Sequence, residues 1–124
     1  MDAINIACSR SYQVLVGSGL LDEAGARIAG VTGCRTVALV ADDTVDALYG
    51  DRVQGSLERA GFRVARFCFP HGEQSKDMGT YVRLLNFLAE NRLTRGDAVI
   101  ALGGGVTGDL AGFAAAPFLR GVPL

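Results

Sequence analysis

A chain of 124 residues is long enough for one compact domain with a real core and too short for two comfortable ones. Apolar residues make up 49% and charged residues 20%, and 12 basic against 13 acidic side chains leave a net charge of -1. This composition is globular, offers no basic patch for nucleic acid, and contains no apolar stretch near the roughly 20 residues that cross a membrane.

Cys8, Cys34 and Cys68 are widely spaced and fit neither a zinc motif nor a disulfide framework, which suits a reducing cytoplasm. The opening MDAINIACSR lacks the basic and apolar regions of a secretory leader. Seventeen glycines is an unusual number, and five of them cluster between Gly103 and Gly112, more than capping explains.

In chain order, two short β-prone runs at 4–8 and 12–16 predict a hairpin-like strand pair. Ser18 is placed to cap a helix reaching Ile28, with Leu20, Leu21, Ala24 and Ile28 on one face. The unbroken apolar run 36–41 predicts a parallel strand buried on both faces. After the turn Asp42-Asp43-Thr44, a helix is expected to about Ala60 with Val45, Leu48, Tyr49, Val53 and Leu57 as its inward stripe. A strand over 62–69 and a polar loop at 71–76 follow, then a helix carrying Tyr81, Leu84, Leu85 and Leu88 inward and ending near Arg92. The run 98–102 predicts another fully apolar strand, followed by a small-residue helix from about Asp109 to Ala116. Its small-residue face over 111–116 is expected to be exposed.

Alternating strands and helices predict an α/β, Rossmann-like fold: a mainly parallel sheet with flanking helices and an N-terminal strand pair. In such sheets ligands bind beyond the carboxyl ends of the strands, so the loops 42–44, 71–76 and 103–109 matter most. The chain stops about one helix after its most informative motif, the pattern expected of a truncated piece of a larger protein.

Gly103, Gly105 and Gly108 satisfy the G-x-G-x-x-G spacing between a predicted strand and a helix. A diphosphate needs close approach to backbone N–H groups at the positive end of a helix, with no Cβ in the way. Glycines serving only tight helix–sheet packing would give the same string. Asp109 stands where a Walker A lysine would be, which excludes that loop. Asp109 is either a first-turn carboxylate favoured by the helix dipole or a group facing the nicotinamide side of a bound dinucleotide. Glu73 can accept from ribose hydroxyls and Lys76 can neutralise a phosphate, or the two form an ordinary surface pair. Asp42 either binds a ribose or caps the following helix. His71, the only histidine, reads as a solvated loop residue, and Arg120 as a phosphate or carboxylate clamp or an exposed side chain.

Together the strings Pro70-His71-Gly72-Glu73-Gln74-Ser75-Lys76 and Ala101-Leu102-Gly103-Gly104-Gly105-Val106-Thr107-Gly108-Asp109-Leu110-Ala111-Gly112-Phe113, with Arg120-Gly121-Val122, resemble the 3-dehydroquinate synthases of the sugar-phosphate cyclase family. Related iron-dependent alcohol and glycerol dehydrogenases share the fold but differ in the glycine string. The resemblance implies that residues 1–124 form the NAD-binding α/β domain of a two-domain enzyme whose C-terminal helical domain is missing from this chain. It implies NAD contacts from Asp42, from His71, Gly72, Glu73, Gln74, Ser75 and Lys76, and from Gly103, Gly104, Gly105, Val106, Thr107, Gly108 and Asp109. Arg120 is implied to hold the substrate phosphate. Position 71 is often acidic in the family, so His71 departs from it.

The implied reaction turns 3-deoxy-D-arabino-heptulosonate 7-phosphate into 3-dehydroquinate and phosphate, with NAD recycled and a divalent zinc or cobalt ion as Lewis acid. The metal ligands, a glutamate and two histidines, are implied to lie outside this chain, and the parent to be a homodimer. The fragment alone is then expected to be inactive. Another cyclase with a different sugar phosphate, and a stand-alone NAD-binding module, are the alternatives.

Overall fold

The computed structural model describes residues 2–6, 12–16, 19–94 and 96–115. Strands β1 (Asp2–Ile6) and β2 (Tyr12–Val16) pair antiparallel as the expected hairpin, with β1 starting earlier than the 4–8 run. The 18–28 helix opens as a 3-10 turn, Leu20–Glu23, before α1 (Ala24–Ala29); the expected cap Ser18 lies outside the described residues, as do Cys8, Ala116, Pro117 and Arg120.

The main sheet has three parallel strands in the order β4-β3-β5: β3 (Thr36–Asp42) in the centre, β4 (Arg63–Phe69) and β5 (Ala98–Leu102) beside it. Helices cover both faces, which is why β3 reads as an unbroken apolar run rather than an alternating one. The period of two still sorts its side chains. Val37 and Leu39 pack with Val53, Leu57, Phe62 and Ala98 on one face. Ala38 and Val40 pack on the other with Phe69, Leu84, Leu88, Val99 and Leu110.

Between β3 and β4 the single expected helix is three pieces: α2 (Asp43–Val45), a π turn (Asp46–Gly50) and α3 (Asp51–Arg59). The π turn corrects the expected stripe. Val53 and Leu57 are buried, but Leu48 and Tyr49 are 63% and 39% exposed, and Gly50 takes the inward position instead. The cause is Arg66 of β4. Its guanidinium binds Asp46 Oδ1 at 2.6 Å, Asp51 Oδ1 at 2.7 Å and Gln54 Oε1 at 2.9 Å, and fills the space where a Cβ on Gly50 would stand.

Helix α4 (Met78–Glu90) is capped by Asp77, which accepts from Thr80 N at 2.8 Å, and Arg92 follows in a left-handed conformation with φ 58°. Helix α5 (Gly105–Ala115) begins one turn earlier than expected. Its alanines are also the reverse of expectation: Ala111, Ala114 and Ala115 are buried against the sheet, where small side chains let helix and strands approach closely, while Phe113 is 64% exposed.

Candidate functional site

Parallel register brings the three loops of interest to one end of the sheet. Asp42 lies opposite Phe69 and Ala41 opposite Leu102, so β3, β4 and β5 finish level with one another. The turns after them converge beyond that end, where α/β sheets present ligand sites.

The glycine turn is built in two parts. Gly103 has φ 141°, and a Cβ there would stand 3.0 Å from Thr107 Oγ1, so this position is glycine for the chain's own sake. Gly104, Gly105 and Gly108 are different: a Cβ on any of them would meet nothing within 4 Å. Close helix–sheet packing therefore does not explain these three glycines. What their lack of side chains leaves is open space over the first turn of an 11-residue helix, whose leading N–H groups have no intrahelical acceptor. Asp109 sits past that first turn, so the dipole reading of its carboxylate loses its basis.

Lys76 and Asp109 meet. Lys76 Nζ lies 2.9 Å from Asp109 Oδ2, and that hydrogen bond and charge raise the Lys76 ammonium above its ordinary value. The pair borders a cleft of about 720 Å³ between the starts of α4 and α5, lined further by Met78, Tyr81, Gly108 and Phe113. The Tyr81 and Phe113 rings pack with centroids 4.8 Å apart. Tyr81 packs against the core, as its helical spacing predicts, and also lines the cleft, whereas Met78, Phe113 and Asp77 carry no sequence signal for it and are brought there by the approach of the two helices.

The 71–76 loop is a tight turn with a 3-10 core, Glu73–Ser75. Ser75 is buried and its hydroxyl donates to the Pro70 carbonyl, while Gln74 Nε2 donates to the His71 carbonyl at 2.8 Å. These two side chains shape the turn. Glu73 is exposed at its outer side. Asp42 accepts from Val45 N at 2.8 Å and so caps α2, with its carboxylate at the half-buried end of β3. His71 is not simply solvated: its Nδ1 is 2.7 Å from Asp43 Oδ1, a partner the sequence did not single out. Among the described residues no group of three or more His, Cys, Asp or Glu side chains is arranged to hold a metal ion. No helix among them is long and apolar enough to cross a membrane.

Residues 66–124 match the family model for the 3-dehydroquinate synthase N-terminal domain. Over that stretch the chain is similar to the N-terminal domain of the 3-dehydroquinate synthases. It is 45% identical to the 3-dehydroquinate synthase of Streptococcus suis strain 05ZYH33 over 111 residues, 90% of this chain and 31% of that protein. The Caulobacter vibrioides 3-dehydroquinate synthase is 47% identical over 114 residues, 91% of this chain and again 31% of the relative. The chain thus spans about a third of the length of the synthases it matches.

Among solved structures, 2-deoxy-scyllo-inosose synthase superposes with a TM-score of 0.84 at 24% identity, covering 98% of this chain and 34% of that one. This likeness bears on the fold. The 2-epi-5-epi-valiolone synthase of Streptomyces hygroscopicus subsp. jinggangensis 5008, described with NAD+ and Zn2+ bound, gives a TM-score of 0.75 at 28% identity over 97% of this chain and 33% of its own. The parallel sheet with helices on both faces is therefore the α/β architecture that the 3-dehydroquinate synthase resemblance implied.

Proposed function

We propose that residues 1–124 form the NAD-binding domain of a 3-dehydroquinate synthase, a phosphate-eliminating lyase of the shikimate pathway. The whole enzyme would convert 3-deoxy-D-arabino-heptulosonate 7-phosphate to 3-dehydroquinate and phosphate. The observation that carries the reading is the open space over Gly104, Gly105 and Gly108 at the start of α5. With no Cβ at these positions a diphosphate can approach the backbone N–H groups closely, and the helix N-terminus favours its charge.

When bound, NAD supplies a hydride acceptor that is restored within one turnover. The chain's own groups bind and orient it. Leading N–H groups of α5 donate to the diphosphate, and Asp42 and Glu73 accept from ribose hydroxyls. Lys76 sets a positive charge at the rim of the cleft, held by Asp109, whose carboxylate borders the nicotinamide region. Gln74 and Ser75 contribute through the shape of the turn rather than through their side chains. Arg120, outside the described residues, is proposed to hold the substrate phosphate.

Among the described residues no donor set fits a divalent metal, and the zinc or cobalt ion and its ligands are proposed to lie outside the chain. The parent is proposed to be a cytoplasmic homodimer acting on a small sugar phosphate, and the 124-residue chain alone to be inactive. A cyclase for another sugar phosphate is less favoured, because identity to the valiolone synthase is 28% against 45% to the Streptococcus suis synthase.

Calorimetric titration of NAD+ into the wild-type chain and its Gly105→Val variant tests the cradle. The variant should keep its circular dichroism and lose at least about tenfold in affinity. Equal affinity in the two refutes the reading. Release of phosphate from 3-deoxy-D-arabino-heptulosonate 7-phosphate by the enzyme that carries this sequence tests the reaction.

A further inference from the structure

One carboxylate joins two loops at the carboxyl end of the sheet. Asp43 Oδ1 accepts from the backbone N–H of His71 at 3.1 Å and lies 2.7 Å from its Nδ1. On the β3 side, Asp43 is the first residue of α2, the turn capped by Asp42. On the β4 side, His71 leads directly into the turn that carries Glu73 and Lys76. Its carbonyl accepts from Gln74 Nε2 at 2.8 Å, the Gly72 carbonyl accepts from Ser75 N at 3.1 Å, and the Glu73 carbonyl accepts from Lys76 N at 3.0 Å. These bonds tie the turn from His71 to Lys76 into one tight unit, whose last residue meets Asp109.

We propose that His71 is a positioning residue whose protonated ring, clasped by Asp43, holds the 72–76 turn in its ligand-binding place, so that diphosphate ligands bind more weakly as His71 loses its proton. The proposal rests on the reading of the glycine turn as a dinucleotide cradle. Its physical basis is that a hydrogen bond between two charged partners is roughly twice as strong as one between neutral partners. A neutral ring can still donate to Asp43, but less strongly, and the turn then depends more on the His71 backbone N–H.

The groups facing the ring favour titration above the ordinary histidine value of 6.5. The Asp43 hydrogen bond comes first, then its charge, with Asp42 adding to them. From β4, Cys68 contributes a thiol pushed up by burial and by Asp46, Asp43 and Asp42, so it stays neutral over the range in which the ring changes charge. Both clasp side chains are half or more exposed, which limits the expected effect to about two- to five-fold in affinity.

The test combines a measurement without ligand and one with ADP as the probe, on the wild-type chain, His71→Gln and Asp43→Asn, between about pH 6 and about pH 8.5. Without ligand, amide resonances of Glu73 to Lys76 should shift with the same midpoint as the His71 ring, and should not shift in His71→Gln. ADP affinity in the wild type should fall about two- to five-fold across that midpoint, be flat in His71→Gln, and in Asp43→Asn show a midpoint displaced down toward 6.5. Amides that ignore the ring, ADP affinity flat with pH in the wild type, or a pH profile that survives in His71→Gln each overturn the proposal while leaving the cradle standing. ADP failing to bind at every pH overturns the cradle itself and the proposal with it.

Discussion

Lys76 Nζ and Asp109 Oδ2 stand 2.9 Å apart, an ion pair that ties the loop after β4 to the helix after β5 across the mouth of the cleft. Both side chains are well exposed, so the pair sets geometry more than stability. Asp109 raises the Lys76 ammonium above 10.5. A raised cation stabilises fully below its ordinary value, and that contribution is lost as pH rises through the folded value. Asp109→Asn should return the Lys76 titration toward 10.5, read from the side-chain resonances. A titration unmoved by the substitution means that the pair does not form in solution.

Gly103 and Gly108 predict opposite outcomes for the same substitution. Gly103→Ala forces a side chain into φ 141° and against Thr107, which should cost about 1–3 kcal/mol. Gly108→Ala meets open space inside a helix and should be neutral or stabilising by roughly 0.5–1 kcal/mol. Urea melts of the two variants decide this, and equal losses would contradict the space seen over Gly108.

Asp42 has a capping role and a proposed ribose role, and two substitutions separate them. Asp42→Ala removes the acceptor for Val45 N and should cost about 1 kcal/mol. Asp42→Asn keeps the cap, leaving stability nearly unchanged, yet removes the carboxylate that would receive ribose hydroxyls. Thermal melts should separate the variants, while NAD+ calorimetry should find both weakened. Full NAD+ affinity in Asp42→Asn removes Asp42 from the cofactor contacts.

Leu57 and Leu84 are both completely buried but on opposite faces of the sheet. Each truncation to alanine should cost about 2–5 kcal/mol. Because the two sit in separate clusters, the double variant should equal the sum within about 0.5 kcal/mol. A larger departure in denaturant melts would mean that the two clusters relax as one.

The strands were the legible part of the fold. A run such as Val37–Val40 needs no alternation when helices cover both faces, and parallel connectivity sends the loops after β3, β4 and β5 to one end. The start of α5 was harder to read. Glycine propensity disfavours helix over 105–108, but the burial of Thr107, Leu110 and Ala111 outweighs it. Asp42 and Asp43 are identical neighbours in the sequence, yet one caps a helix and the other holds His71. The pairs Lys76–Asp109 and His71–Asp43 span 33 and 28 positions, so no local pattern could announce them. The cleft-lining Met78 and Phe113 looked like ordinary helix residues for the same reason.

The π turn at Asp46–Gly50 acts as a phase slip of one residue in an otherwise continuous helical path. One residue of α-helix corresponds to about 100° of rotation. Removing one residue between Asp46 and Gly50 would bring both stretches into a single frame. Asp42 is held in β3 opposite Phe69, and Val53 and Leu57 are held in the core, so neither end is free to turn by that angle. The extra residue is what lets an anchored strand end and an anchored helix be joined, and its deletion, unlike a substitution, would unseat one of the two.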